Sequence, residues 1–208
     1  VTRDTPLYRL VQAHKPTVLY LQETWLRRKA TGVKPRALKD YHIFKTMVMP
    51  GDPEDRKKGR GQAGLITAVH KSMGERANFA LVDTPLHLQG YVLPVTARAQ
   101  GHTILLVNVY LPPLGSGDPR RRGNVMEGAG NMMTGYRESH PEAAVLLGGD
   151  MNAALHIGDR AGPPTQVDLQ YRRWVGRLGM VPLQSGHRLA TFRPPSDRIA
   201  GVLSAGSR

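Results

Sequence analysis

Cysteine is absent from the 208-residue sequence, which excludes disulfide bonds and thiolate metal sites. Long apolar runs are also absent, and none reaches the length of a membrane span, so we expect no membrane association. Acidic residues are scarce, with 16 Asp and Glu against 29 Lys and Arg and a formal net charge of +13. This imbalance favours a polyanionic partner, and among such partners it favours nucleic acid most.

Length and composition predict a single globular domain over residues 1–208. The chain is long enough to bury a full core, and 40% hydrophobic with 22% charged residues is typical of globular proteins. Because the sequence begins with Val1 rather than Met, we expect it to be a piece of a longer protein.

Short apolar runs alternate with helical patterns along the chain. Apolar residues at helical spacing predict helices over residues 4–14, 124–140 and 168–178. Strands are predicted over residues 17–21, 41–48, 64–70, 77–82, 91–98, 102–110, 143–147, 180–183 and 189–192. These elements predict an α/β fold in which two sheets pack face to face with helices outside.

The stretch Gly148-Gly149-Asp150-Met151-Asn152 combines a strand end with two polar side chains. The apolar run over residues 143–147 predicts a buried strand that stops at the two glycines. Residues i and i+2 of a strand point to the same side, so Asp150 and Asn152 would aim at one ligand if strand geometry persists. A carboxylate beside an amide suits a divalent cation or a metal-bound phosphate. An Asp/Asn turn after a core strand would give the same pattern.

Two other predicted strands also end in polar side chains. Glu23 follows the strand over residues 17–21, and Asn108 and Tyr110 lie two positions apart at the end of the strand over residues 102–110. Each has an ordinary alternative, since Glu23 would serve in a surface salt bridge and Tyr110 would cap the core with its ring. If these two strand ends lie next to the strand end at Asp150, the polar side chains of all three would form one site.

Five short motifs occur in an order that is found in a known superfamily. They are Leu21-Gln22-Glu23-Thr24, Gly64-Leu65-Ile66, Asn108-Val109-Tyr110-Leu111-Pro112-Pro113, Gly148-Gly149-Asp150-Met151-Asn152 and Thr191-Phe192. In this order the chain resembles the endonuclease/exonuclease/phosphatase superfamily over nearly its whole length. The resemblance is closest to the apurinic/apyrimidinic-like endonuclease domain of non-LTR retrotransposons, whose common form is also similar at Asp159-Arg160.

The resemblance implies a four-layer α/β sandwich of two mixed sheets with outer helices. It also implies a phosphodiesterase of the DNA endonuclease type that depends on Mg²⁺ (or Mn²⁺). Carried over residue by residue, Glu23 is the metal carboxylate, and Tyr110 positions the phosphate or stabilises the developing charge. Asp150 orients or deprotonates the attacking water, and Asn152 holds a phosphate oxygen. These roles agree with in-line attack on a phosphodiester, which needs a metal, a base and hydrogen-bond donors.

Further residues are expected to contact phosphate or DNA. Asn108 and Thr191 belong to the matching motifs, and Arg120, Arg121 and Arg122 lie in a predicted loop over residues 115–123. An arginine-rich surface makes DNA binding strongly salt-dependent. The resemblance also implies a longer polyprotein with a reverse transcriptase, and an intracellular, nuclear location when the domain acts on DNA.

Three departures from the family pattern set limits on this expectation. The family's first strand, which has a catalytic Asn, is absent, because the chain starts at the helix that follows it. Ala200 stands where the family has an Asp, and Asp197 is a possible substitute three positions away. The family's Ser-Asp-His element is missing before the chain ends at Arg208. We therefore expect the sandwich to lack its first strand and its C-terminal end.

Two other functions remain open at the level of sequence. A non-catalytic nucleic-acid-binding remnant would keep the basic surface and lose the chemistry. A superfamily phosphatase or phosphodiesterase would act on a lipid or nucleotide, and the net charge of +13 argues against this choice, although inositol phosphates are also polyanions.

The departures predict that the 208-residue chain nicks supercoiled plasmid DNA little or not at all, even with Mg²⁺. Residues of one catalytic unit act cooperatively, so the loss of several partners should remove nearly all of the rate. Gel electrophoresis of the plasmid after incubation measures the nicked fraction. Robust cleavage that Glu23→Ala abolishes would contradict this prediction.

Overall fold

The structure is a computed structural model and describes residues 6–24, 36–46, 64–99, 101–114, 120–155 and 162–181. The chain divides into two compact units, Val1–Asn152 and Ala153–Arg208. Across the described ranges, no helix is long and apolar enough to cross a membrane.

The described part of the first unit contains two α-helices and seven strands. In chain order they are α1 (Pro6–His14), β1 (Val18–Leu21), β2 (Tyr41–Lys45), β3 (Ile66–His70), β4 (Phe79–Leu81), β5 (Val92–Ala99), β6 (His102–Tyr110), α2 (Arg121–Ser139) and β7 (Ala144–Asp150). Short 3₁₀ turns lie between some of them, at Arg36–Leu38, Lys71–Met73, Arg76–Asn78 and Leu86–Leu88. The seven strands predicted before residue 150 are therefore present, with ends that differ by a few residues.

The smaller sheet has its described strands in the order β1, β3, β2, all antiparallel. Helix α1 contributes to the core that covers this sheet. That core contains the buried residues Val11, Leu38, Tyr41, Ile66 and Ala68. The hydroxyl of Tyr41 also donates to the carbonyl of Pro16 at 2.8 Å, which ties the end of α1 to β2.

The larger sheet has the order β4, β5, β6, β7 and is mixed. Its first three strands are antiparallel, whereas β7 runs parallel to β6. A parallel pair needs a long crossover connection, and helix α2 lies in that connection. The buried apolar face of α2 contains Val125, Met126, Ala129 and Met133. The predicted α/β sandwich is confirmed, although the described strands of the smaller sheet are antiparallel and not mixed.

Strand β7 does not stop at its two glycines, as the apolar run had predicted, but continues to Asp150. Gly148 is required by a close approach, because a Cβ there would lie 2.5 Å from ring atoms of Tyr20. Gly149 has φ of 134°, and a Cβ there would lie 1.9 Å from the carbonyl oxygen of Val109. The glycines therefore allow packing within the strand, and they do not end it.

Helix α2 begins at Arg121, so the predicted loop over residues 115–123 is wrong at its end. Glycine lowers helix stability by about 1 kcal/mol relative to alanine, so Gly128, Gly130 and Gly135 weaken the prediction of this helix from sequence. Tertiary packing outweighs that cost, since the helix buries a continuous apolar face.

The second unit contains helix α3 (Gln166–Arg177), which confirms the predicted helix over residues 168–178. Thr165 and Asp168 form a reciprocal capping box at its start. The buried Asp168 also accepts from the amide of Ala154 at 2.7 Å. Met180 and Val181 are not in a strand, contrary to the prediction for residues 180–183, and the predicted strand over residues 189–192 lies outside the described residues.

Gly149→Ala should lower the free energy of unfolding by more than about 3 kcal/mol. The new methyl group overlaps backbone, which costs about 1–3 kcal/mol, and an L-residue in the left-handed region adds about 1–2 kcal/mol. Gly135→Ala is the control, because nothing lies within 4 Å of its added Cβ, and it should raise stability by about 1 kcal/mol. Urea denaturation measures both, and equal stabilities for the two variants would contradict the packing argument.

Candidate functional site

Three polar side chains meet where strands of both sheets end. Tyr110 is the last residue of β6 and Asp150 is the last residue of β7, and the two are partners in the parallel register. Glu23 follows β1 in the other sheet, and its Oε1 accepts a hydrogen bond from the Tyr110 hydroxyl at 2.8 Å. The predicted meeting of these strand ends is therefore present in the structure.

The backbone of Glu23 is in the left-handed region, with φ of 50°. This conformation costs a residue with a side chain about 1–2 kcal/mol, so neighbouring contacts must hold it. The amide of Thr24 donates to the carbonyl of Gly64 at 3.1 Å, and the side chain of Gln22 donates to Oδ1 of Asn108 at 2.8 Å. Both neighbours of Glu23 are thus fixed, while its own side chain is exposed and accessible to a ligand.

Asn108 lies between the sheets and is fully buried, with 0% of its surface exposed. Its Nδ2 donates to the carbonyls of Ile66 at 2.9 Å and Leu21 at 3.4 Å, and its Oδ1 accepts from Gln22. These contacts occupy the donors of the carboxamide. The sequence grouped Asn108 with the phosphate-binding residues, but the structure places it behind the site, where it supports Glu23 and Tyr110.

Burial raises the pKa of the Tyr110 hydroxyl, and its hydrogen bond to Glu23 and the charge of Asp150 raise that pKa further. Tyr110 therefore keeps its proton at neutral pH and acts as a hydrogen-bond donor. The ring of Tyr91 stacks on the ring of Tyr110 with 6.3 Å between centroids and 9° between planes. Sequence reasoning missed Tyr91, which precedes β5 and has no motif to mark it.

Asp150 and Asn152 do not follow the alternation of a strand. The strand ends at Asp150, and Asn152 has φ of 44°, so the predicted same-side arrangement of the two side chains does not apply. They are joined by a turn in which the amide of Asn152 donates to Oδ1 of Asp150 at 2.9 Å. Nδ2 of Asn152 donates to the carbonyl of Leu111 at 2.9 Å, which holds this turn against the end of β6.

The three consecutive arginines occupy three different environments. Arg120 is exposed and precedes helix α2. Arg121 is partly buried, and its Nη1 lies 3.4 Å from the hydroxyl of Tyr91 as a donor. Arg122 is only 3% exposed and donates to two backbone carbonyls, so its guanidinium does not face solvent. The expected DNA surface is thereby reduced to Arg120 and Arg121.

Two carboxylates at this edge provide donors for a cation. Glu23 and Asp150 both lie close enough to Tyr110 to raise its pKa. Within the described residues, no group of three or more His, Asp and Glu side chains is placed to hold a metal ion. Magnesium often uses only one or two protein carboxylates and completes its shell with water and phosphate oxygens, so this donor set fits such an ion.

Several predicted residues lie outside the described part of the chain. These are Thr191, Asp197, Ala200, the Asp159-Arg160 pair and the remaining residues of the C-terminal motifs. Their expected roles stay predictions.

Comparison with known proteins identifies the fold. No family model and no curated protein matches the chain. An AP endonuclease from Leishmania major is 21% identical with a TM-score of 0.59, covering 83% of this chain and 60% of its own length. An AP endonuclease from Archaeoglobus fulgidus is 17% identical with a TM-score of 0.62, covering 97% of this chain and 76% of its own. The endonuclease domain of TRAS1, a telomere-specific non-LTR retrotransposon, is 16% identical with a TM-score of 0.51. The match covers 83% of this chain and 64% of the TRAS1 domain.

The chain thus shares its fold with these two AP endonucleases and the TRAS1 domain, which agrees with the fold that the resemblance implied. It spans about 60% of the length of the Leishmania enzyme and 64% of the TRAS1 domain.

Asn108→Ala should lower the free energy of unfolding by about 2–4 kcal/mol, because it leaves buried backbone carbonyls and the Gln22 amide without partners. Asn131→Ala is the control, since Asn131 is exposed on α2, and its effect should stay within about 0.5 kcal/mol. Guanidinium denaturation compares the two. A small effect at Asn108 would show that the sheets do not depend on its carboxamide.

Proposed function

We propose that the chain is a divalent-metal-dependent phosphodiester hydrolase domain of the DNA endonuclease type, and that the 208 residues by themselves have little or no activity. The observation that supports this most is the hydrogen bond from Tyr110 to Glu23 beside Asp150, at adjoining ends of two sheets. The superfamily fold adds support, because it is shared with AP endonucleases. We propose Mg²⁺ (or Mn²⁺) as the cofactor and DNA as the substrate.

Each side chain has a distinct role in this proposal. Glu23 would hold the metal, which when bound would neutralise charge on a phosphate oxygen. Asp150 would orient the attacking water and accept its proton. Tyr110, kept protonated by burial, has one hydroxyl hydrogen. It holds the Glu23 carboxylate in this structure and would turn toward the developing charge once that carboxylate holds a metal. The amide NH₂ of Asn152 has two hydrogens, and the one not bonded to Leu111 would meet a phosphate oxygen.

The backbone strain at Glu23 and Asn152 supports this assignment. Three non-glycine residues in the described part of the chain have positive φ, namely Lys15, Glu23 and Asn152, and the last two are proposed to touch substrate or metal. Such strain persists only where surrounding contacts over-determine it, and it is common at active sites. Here those contacts are the bonds made by Gln22 and Thr24 around Glu23 and the Leu111 carbonyl at Asn152.

DNA is the partner that the charge favours. The formal net charge is +13, and the exposed Arg120 lies at the start of α2, next to Arg121, which reaches Tyr91 beside the site. Basic side chains in this position would bind the phosphates that flank the reacting one. The likeness to the TRAS1 domain, which belongs to a non-LTR retrotransposon, supports a retroelement origin. A reverse transcriptase in the same polyprotein and action on nuclear DNA are part of the proposal that rests on the sequence resemblance.

A non-catalytic DNA-binding domain is the second candidate. It is favoured by Ala200, which stands where the resembling family has an Asp. Because little or no nicking is expected of the 208 residues in either case, the effect of metal on DNA binding separates the two candidates. A metal held by Glu23 would strengthen DNA binding, whereas a basic surface alone would bind equally well without metal.

Glu23→Gln should remove the dependence of DNA binding on metal. We expect a fluorescein-labelled duplex to bind about tenfold more tightly in Mg²⁺ than in EDTA at constant ionic strength. This factor is the lower end of the change in affinity that is typical when one contact of a metal site is lost. Fluorescence anisotropy gives the dissociation constants. The control is Glu127→Gln, an exposed carboxylate on α2 that should leave the metal effect intact.

Equal binding with and without Mg²⁺ in the unsubstituted chain would overturn the hydrolase proposal and favour the DNA-binding domain. Hydrolysis of a small phosphate ester without DNA binding would instead indicate a phosphatase. Loss of the metal effect in both variants would show that charge, and not the Glu23 site, causes it.

A further inference from the structure

The guanidinium of Arg122 is buried beside the proposed site. Only 3% of the residue's surface is exposed. Its Nη1 donates to the carbonyl of Pro112 at 3.0 Å, and its Nη2 donates to the carbonyl of Met151 at 2.9 Å. A buried cation is tolerated only where acceptors replace its lost water, and these two carbonyls are such acceptors.

The two carbonyls belong to the segments that follow β6 and β7, the strands that end at Tyr110 and Asp150. Pro112 follows the end of β6 at Tyr110, and Met151 lies between Asp150 and Asn152. The parallel ladder of β6 and β7 ends at the pair of Tyr110 and Asp150. Beyond the ladder, the segments need other bonds to stay together, because strand pairing no longer fixes their separation.

Three contacts replace the ladder there. The amide of Leu111 donates to the carbonyl of Asp150 at 2.9 Å, and Nδ2 of Asn152 donates to the carbonyl of Leu111. Arg122 is the third contact and the only one of these that joins both segments to a helix, since it lies in the first turn of α2. The planar guanidinium presents several donors in a fixed fork, which suits two carbonyls at once.

We propose that Arg122 is a positioning residue that fixes the Asp150–Asn152 turn against the segment after Tyr110. It touches neither DNA nor metal in this assignment. Its effect on catalysis rests on the function proposed above, but its effect on the turn does not. The sequence alone would place Arg122 with its neighbours on the DNA surface, so the assignment separates one arginine from the other two.

Arg120 provides a matched control two positions away. It has the same chemistry and the same charge, but it is exposed. Arg122→Met and Arg120→Met therefore remove equal charge from neighbouring positions. A difference between them reports the buried hydrogen bonds and not the net charge.

The first measurement is hydrogen exchange at the amides of Leu111 and Asn152. Both amides donate to Asp150, so their protection reports the turn directly. Arg122→Met should speed their exchange by about tenfold or more, while amides at the centre of β5 and β6 keep their protection. Arg120→Met should leave all of these rates unchanged. Loss of protection throughout the larger sheet would overturn the proposal, because it would make Arg122 a general support of the fold.

The second measurement is DNA binding at several salt concentrations with Mg²⁺ or EDTA. Arg122→Met should lose the metal-dependent gain and keep the salt slope, whereas Arg120→Met should keep the gain and reduce the slope by about one. A reduced salt slope in Arg122→Met would overturn the assignment and make Arg122 a DNA contact. If the unsubstituted chain shows no metal effect, the proposed function fails, and the exchange rates still decide the role of Arg122.

Chemical rescue tests the bonds themselves. In Arg122→Ala, added guanidinium ion below denaturing concentration should restore the protection of Leu111 and Asn152, because it can occupy the vacated position between the two carbonyls. Sodium chloride at equal ionic strength should not. If both salts act alike, screening explains the effect and the proposal fails. Should Arg122→Met not fold, Arg122→Lys keeps the charge but has its donors on a single nitrogen, so it is expected to show partial loss of protection at the same two amides.

Discussion

The buried carboxamide of Asn108 is the interaction on which the arrangement of the site depends. Asn108 belongs to β6 in the larger sheet, and its Nδ2 donates to the carbonyls of Leu21 and Ile66 in the smaller sheet. Its Oδ1 accepts a hydrogen bond from the side chain of Gln22. Because Gln22 precedes Glu23 and Asn108 lies two residues before Tyr110, one side chain fixes both partners of the site. Leaving such buried groups unpaired costs about 1–3 kcal/mol each, so the sheets have a strong preference for this single register.

A close approach between Tyr20 and Gly148 also fixes the position of β1 relative to β7. The ring of Tyr20 lies over Gly148, where no Cβ fits, and its hydroxyl donates to the carbonyl of Leu146 at 3.1 Å. Burial raises the pKa of Tyr20, so this donor also keeps its proton. Together with Asn108, it holds β1 against both β6 and β7. The glycines of the Gly148-Gly149-Asp150 stretch therefore serve packing between sheets, and Asp150 benefits from the rigidity that results.

The site is supported from both sides by buried bonds, whereas the groups proposed to act are nearer the surface. Asn108 is placed behind Glu23 and Tyr110, and Arg122 is placed behind the turn of Asp150 and Asn152. Strain in the backbone of Glu23 and Asn152 is maintained by these supports. A site held in this way is preorganised, so little reorganisation is needed when a charged ligand arrives.

Local sequence patterns predicted the seven strands of the first unit, their order along the chain and the polar residues at or just after their ends. Glu23, Tyr110 and Asp150 could be predicted because alternating or continuous apolar runs show where a strand ends. Alternation also places Asn108 and Tyr110 on one face, but it does not determine depth, and only the packing of two sheets buried Asn108. Three consecutive arginines look alike in sequence, yet successive helical residues point about 100° apart, so the tertiary contacts of α2 decided that Arg122 turns inward. How deeply a side chain is buried and which way it points depend on neighbours that are distant in the chain, and no local sequence pattern contains that information.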